Sequence, residues 1–320
     1  MPLVPAFQLR LKDQILEGLA TVGKYDGKHP CLTAATSGGK IFIHNPYQQE
    51  ADGSNIKYLN INKKISAVSH GELDPASKRD VLLVGTKTDL LAYDVDENRD
   101  HFFKDVPDGV NAMLCGRMGG VSGAGAAGAA PMAVVGGNCS IQGFDMEGAE
   151  VYWTVTGDNV NALALADVNG DGRNELLVGS DDFEIRIFAN EDVILEVTEA
   201  ERVVGLAHVR GERFGYALGN GTLGVYEGSR RQWRVKSKNE VTAFCAYDLD
   251  GDGVAEVVTG WNSGKLEVRN EASGEVVYRD SFTGGVSALL TADYRKDGGE
   301  DMICCSLDGE VRGYRAQVGL

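Results

Sequence analysis

No stretch of the chain stays apolar for the ~20 residues a helix needs to cross a bilayer. Residues 1–10 (MPLVPAFQLR) also lack the basic-then-apolar order of a secretory leader. The six cysteines (Cys31, Cys115, Cys139, Cys245, Cys304, Cys305) show no CxxC spacing, and adjacent Cys304 and Cys305 would point to opposite sides of a strand. Buried free thiols in a reducing, cytosolic compartment are the expectation. Basic charge is short as well: 31 Lys and Arg against 47 Asp and Glu give a net charge of −16, which repels nucleic acid and anionic membrane surfaces alike. The densest basic run, Arg230, Arg231, Arg234, Lys236 and Lys238, alternates with Gln232, Trp233, Val235 and Ser237, so it reads as the solvated face of one strand.

Strings that announce catalysis are missing too. There is no GxSxG, no Walker motif and no HxH or HExxH pair, and the five histidines (His29, His44, His70, His101, His208) are expected in different structural units. Gly123, Gly125 and Gly128 match GxGxxG literally. They lie in an Ala/Gly run, residues 119–130, with no strand before it and no helix after it, so it reads as a flexible inserted loop. Trp153, Trp233 and Trp261 are expected to pack between elements. No nucleophile, base and oxyanion hole assemble along the sequence.

Proline is scarce at 7 residues while glycine reaches 42, and short Val/Ile/Leu runs recur between glycines and acidic residues. That pattern favours many short strands joined by turns, and 320 residues at 43% hydrophobic content suffice for a substantial core. Two strings stand out: residues 167–179 (DVNGDGRNELLVG) and 248–260 (DLDGDGVAEVVTG), which begin 81 residues apart. Each sets oxygen-bearing groups at positions 1, 3, 5, 7 and 9 of a glycine-containing loop. In the first these are Asp167, Asn169, Asp171, the Arg173 carbonyl and Glu175; in the second, Asp248, Asp250, Asp252, the Val254 carbonyl and Glu256. Hard oxygen donors on a loop that can curl suit Ca²⁺. It is no EF-hand, because position 12 is Val178 or Thr259 and the flanks are strand-like; the FG-GAP repeats of integrin-type propellers are the nearer resemblance. The competing reading is an acidic turn held by Asx-type hydrogen bonds. A third string, residues 293–301, keeps Asp at 1, 5 and 9 but has Arg295 at position 3, so a guanidinium would take the cation's place.

The apolar residue opening the segment after each Gly/Asp-rich turn falls at Ile41, Leu91, Ile141, Ile185, Leu223, Leu266 and Val311, in steps of 50, 50, 44, 38, 43 and 45. Steps near 45 fit a four-stranded propeller blade, and seven blades use the whole chain. The expected fold is thus all-β, one seven-bladed β-propeller over residues 1–320. Unit four shows the layout: residues 160–166, the acidic loop, 175–178, 184–188 and 193–197 as strands a to d, drier inside than outside. An apolar, small polar, Ala, apolar string recurs at residues 65–68, 110–113, 160–163, 241–244 and 286–289, as a crowded central channel would require. The last unit lacks its outer strand. Residues 6–12 alternate in polarity ahead of an inner strand near residues 19–22, so they are predicted to supply that strand and close the ring.

Residues 23–32 (GKYDGKHPCL), 40–46 (KIFIHNP), 82–94 (LLVGTKTDLLAYD), 153–161 (WTVTGDNVN) and 214–222 (FGYALGNGT) resemble the amino-terminal propeller of the Bardet-Biedl syndrome 2 family of BBSome subunits. The likeness runs through residues 303–314 (ICCSLDGEVRGY), and only the Ala/Gly insert departs from it noticeably. The resemblance implies a non-enzymatic scaffold in ciliary membrane-protein trafficking with intraflagellar transport, at the cilium and basal body. It also implies a chain that in the family continues into a coiled coil and further domains. Implied partners are the other BBSome subunits, above all the Bardet-Biedl syndrome 7 protein, and ciliary membrane-protein cargo. The isolated domain is expected to be monomeric. The alternative is a Ca²⁺-dependent propeller enzyme or lectin-like module, which would gather ionisable residues near the channel.

Overall fold

The computed structural model describes residues 3–49, 54–119, 130–249 and 251–316. Among them the regular elements are 28 β-strands, grouped into seven antiparallel sheets of four. Six sheets take four consecutive strands, here called a to d from the inside outward. The seventh runs Val286–Ala292, Asp301–Ser306, Glu310–Ala316 and then back to Leu3–Arg10. The amino-terminal strand therefore closes the ring as its sequence alternation implied. It sits earlier than residues 6–12: Leu3–Arg10 pairs with Glu310–Ala316, and the Leu11 amide then donates to the Gly309 carbonyl at 2.8 Å, where the chain turns over the hairpin. Leu11 itself is buried in the first blade's seam.

All seven periodic marks fall on c strands, with one register correction. Gly85 faces Leu90, as Gly179 faces Ile185 and Gly260 faces Leu266, so the second mark belongs to Leu90. Leu90 is fully buried, whereas Leu91 is only partly so. Two adjacent leucines made the position ambiguous from periodicity alone.

The fourth blade illustrates why the strands form where they do. Glu175–Ser180 is buried at every residue, Glu184–Ala189 alternates, and Asp192–Thr198 is mostly exposed. Polarity thus rises outward, because inner strands are covered on both faces by neighbouring blades and outer strands splay apart.

The alanine of the recurring string has a specific cross-strand partner. Ala67 faces Gly85, Ala112 faces Gly136, Ala162 faces Gly179 and Ala243 faces Gly260, while the fifth, Ala288, faces Cys305. Blade 5 inverts the order, with Gly205 facing Ala217. At these small pairs the next blade presses in: a Cβ added at Gly85 would lie 2.7 Å from Val110 Cβ, and one at Gly136 would lie 2.7 Å from Val160 Cβ. Small residues serve the seam between blades as well as the channel wall.

Candidate interaction surfaces

The acidic strings occupy equivalent a-to-b turns of blades 4 and 6, and the third string is the same turn of blade 7. In the first, Asp167 accepts the amides of Gly170 at 2.7 Å and Gly172 at 2.8 Å, while Asp171 accepts that of Arg173 at 2.8 Å. Gly170 and Gly172 hold φ of 76° and 82°, a turn closed to most side chains. Asn169 turns its amide nitrogen to Glu175 Oε1 at 2.9 Å, and Glu175 Oε2 accepts the Val168 amide at 3.0 Å. Glu175 opens strand b and is buried; burial, reinforced by the charges of Asp171 and Asp167, pushes its carboxyl up against the pull of the Val168 amide. The second loop repeats this: Asp248 accepts Gly251 at 2.7 Å and Gly253 at 2.9 Å, Asp252 accepts Val254 at 2.7 Å, and Glu256 accepts Leu249 at 2.9 Å. Asp250 lies outside the described residues. The amides of each loop thus meet the carboxylates in the Asx-type pattern. Among the described residues no three His, Cys, Asp or Glu side chains gather into a metal-holding group.

In the third loop arginine stands among the carboxylates. Arg295 reaches Asp301 at 3.2 Å and Asp297 at 3.3 Å, and Arg315 adds bonds to Asp297 at 2.6 Å and Asp301 at 3.0 Å. Asp301, at position 9, opens its strand b just as Glu175 and Glu256 do.

The remaining sequence candidates scatter. Gly119 and Ala130 bracket the Ala/Gly run, and residues 120–129, including the GxGxxG string, lie outside the described residues. Each histidine has its own local neighbour: His29 meets Asp26, His44 meets Tyr294, His70 meets Thr21, His208 meets the Gly211 carbonyl, and His101 packs against Phe102. Contrary to the expectation of separate units, His29 and His44 share blade 1, with its b-to-c hairpin between them, and His70 and His101 share blade 2, on its innermost and outermost strands. Cys31, Cys304 and Cys305 are buried, but Cys139 is exposed on a b-to-c turn. The basic run lies along the exposed edge of blade 5, with one member recruited inward: Arg231 bridges Glu199, whose side chain is fully buried, at 2.7 Å. Trp261 is buried and Trp233 donates to the Glu271 carbonyl at 2.7 Å, so both pack between elements as expected. Trp153 does not; it is 53% exposed.

Two surfaces follow from this frame. A central channel of about 380 Å³ is walled by the a strands, through residues such as Ser66, Asn111, Asn161 and Thr242, and Glu17 is its one ionisable lining residue among those described. Burial, with the Glu240 charge adding, pushes the Glu17 carboxyl up. The second surface is on the rim. Outer strands Glu150–Val155 of blade 3 and Asp192–Thr198 of blade 4 expose Val151, Trp153, Val155, Val193 and Ile194. A groove of about 430 Å³ runs beside them, lined by residues 150–154 and Glu191. Sequence reasoning overlooked this rim, although its signal was readable: these two outer strands alone carry no Lys or Arg.

Residues 21–116 match the family model described as Ciliary BBSome complex subunit 2, N-terminal, and residues 162–269 match the same subunit's middle region. The chain is 49% identical over 323 residues to the BBSome complex member BBS2 of Danio rerio and 48% identical to that of Homo sapiens, in each case across 98% of its own length. The Caenorhabditis elegans member bbs-2 is 39% identical over 260 residues, covering 81% of the chain and 34% of the relative. The chain spans about 44% of the length of the first two relatives. In architecture it is similar to BBS1N from a crystal structure with ARL6DN, at a TM-score of 0.79 and 15% identity over 98% of this chain and 97% of that one. The WD40 β-propeller domain of Doa1 follows at 0.70 and 14%, with the same coverage. These two likenesses speak to the fold. The family matches and close relatives speak to descent: the chain belongs to the BBSome subunit 2 family, whose amino-terminal and middle regions it carries.

Proposed function

We propose that this propeller is a non-enzymatic docking module of a BBSome, holding other subunits and ciliary membrane-protein cargo in register for transport at the cilium and basal body. The observation that carries the reading is the 48–49% identity to BBSome complex members across 98% of the chain. The channel wall supports it. An enzyme or lectin-like module would gather ionisable groups there, and among the described lining residues Glu17 alone is ionisable. Four of the five histidines each bond a different residue, and none of these partners is shared.

At the finer level, the Bardet-Biedl syndrome 7 protein is the proposed principal partner, engaged largely through segments beyond these 320 residues, so that the isolated propeller is monomeric. Affinity capture from ciliated-cell extract, with and without chelator, tests the reading. BBSome subunits or ciliary cargo are expected in both eluates, and their absence from both would overturn the scaffold assignment.

A further inference from the structure

The outer edges of the seven blades are not alike. Each is the last strand of its sheet, with one row of backbone groups unpaired within that sheet. Natural proteins protect such edges with charge, above all lysine. Five outer strands here conform, through Lys57, Lys104, Arg234, Arg279 and Arg10 among others. Blades 3 and 4, which are neighbours, have no basic residue on theirs.

What stands there instead is apolar and patterned. Val151, Trp153 and Val155 recur at every second residue and are 37%, 53% and 55% exposed, while Tyr152 between them is buried against blade 4 and donates to the Asn190 carbonyl at 2.9 Å. A bulge at Val151 sets Tyr152 and Glu150 opposite Gly143 and Phe144, and from Tyr152 onward side chains alternate, so the side of this edge turned away from blade 4 is apolar and open to solvent. Val193 and Ile194 are 47% and 48% exposed on the outer strand of blade 4, but Val193 pairs with Phe188, which packs toward blade 3, so they lie across the edge from the Trp153 face. The flanks are acidic: Glu150 bonds Gln142, and no ion pair is formed by Glu150, Glu191 or Asp192 among the described residues.

We propose that the outer strand of blade 3, flanked by the acidic start of blade 4's outer strand, forms a docking edge for an extended protein segment in which basic and apolar residues alternate, added as a fifth strand beside Glu150–Val155. The free backbone row supplies the ladder, the apolar face pairs with every second side chain of the segment, and Glu150, Glu191 and Asp192 select its basic residues. Charge decides among occupants. A second copy of this chain would set acidic flank against acidic flank, with −16 on each molecule, and an anionic lipid surface would be repelled by the same groups. The proposal gives the scaffold reading a specific edge, and rests on that reading only for the existence of a partner.

The test uses the 320-residue chain and a capped nonapeptide of alternating lysine and valine, with a glutamate–valine peptide as control. The lysine peptide is expected to bind, to weaken as salt is raised, and to protect the amides of residues 150–155 from hydrogen exchange. Trp153→Ala and Val155→Lys are expected to weaken binding by about tenfold or more while leaving the melting temperature in place. Unchanged binding by both variants, protection at another strand, or equal binding of the glutamate peptide would overturn the proposal. Self-association that protects residues 150–155 would give the edge to a second copy, and Trp153-dependent binding of anionic vesicles would give it to a membrane; either result also overturns it. Because the probe is synthetic, its failure leaves BBSome membership untouched.

Discussion

Replacing Gly85 by alanine tests the blade seam at its tightest point. Gly85 lies in strand b of blade 2 and has no left-handed φ, so its backbone accepts alanine and only the space decides the outcome. The added Cβ would sit 2.7 Å from Val110 Cβ, closer still to its Cγ1, and 3.3 Å from Ala67 Cβ. Val110 is fully buried and wedged between blades 2 and 3, so it cannot turn away without moving a blade. Overpacking of this kind costs about 1–3 kcal/mol. Alanine returns about 0.5–1 kcal/mol by narrowing the unfolded ensemble. Because Val110 cannot give way, the overpacking falls in the upper part of that range, and the net expectation is a loss of about 1–2 kcal/mol, seen as a lower urea midpoint and a melting temperature down by roughly 2–3 °C. Gly38→Ala, at a site whose nearest neighbour is 4.0 Å away, is the clash-free control and should be stabilised by up to about 1 kcal/mol. Val110→Ala alone should cost about 2 kcal/mol, and the double variant should be less damaged than the sum by about 1 kcal/mol. A neutral Gly85→Ala, or strict additivity with Val110→Ala, would refute the seam argument.

Removing residues 1–12 takes away the outer strand of blade 7, the stacking of Phe7 on Tyr294 and the Gln8–Glu310 hydrogen bond, so light scattering should report aggregation and calorimetry a lower transition. An unchanged transition would contradict closure by that strand. Calcium in the two acidic loops is a proposal that rests on their donor chemistry alone. If it is right, CaCl₂ raises the melting temperature, chelator reverses the rise, and Asp167→Asn diminishes it; self-capped loops would leave parent and variant alike indifferent to CaCl₂ and to chelator. Asp89 tests the sign of one pH effect: the Lys63 hydrogen bond foremost, opposed by burial and aided by Thr86 and Thr88, holds its carboxyl below the usual range. Its stabilisation is therefore present above about pH 4 and disappears as pH falls through the lower folded value. Asp89→Asn should cost a few tenths to about 1 kcal/mol at neutral pH, because the half-exposed Lys63 limits the gain, and flatten the stability profile below about pH 4; a profile unchanged in slope would count against the ion pair.

The blade count and most strand positions were legible because each c strand begins with one buried apolar residue just after a turn, and turns announce themselves through Gly and Asp. The predicted span 160–166 coincides with the first strand of blade 4. The slip from Leu90 to Leu91 shows the limit of that signal: two equivalent leucines carry no register, and only the facing glycine supplies it. The inversion in blade 5 was hidden for a related reason. Searching for alanine on strand a misses Gly205 paired with Ala217, since the seam restricts the volume of the pair and leaves open which strand carries the smaller member. Trp153 was misassigned because tryptophan is buried on average, and its true position depends on a third-dimension fact, the splay of outer strands away from their neighbours.

The same contrast separates frame from function. The acidic loops are conspicuous in sequence because their carboxylates lie close together along the chain and the acid at position 9 opens a buried strand. In the structure those carboxylates receive loop amides in blades 4 and 6 and are joined in blade 7 by Arg295 and Arg315. An interaction edge leaves no such mark along its own sequence. It is written as an omission, the missing lysine or arginine on two adjacent outer strands, and that omission acquires meaning only when the ring leaves the apolar side of blade 3's outer strand uncovered beside the acidic start of blade 4's. A propeller whose seven edges were equally protected would need its faces for recognition. With one unprotected stretch of rim, the cheapest specific contact for an extended basic segment is made there, where ordering one strand completes a ladder already fixed on its other side.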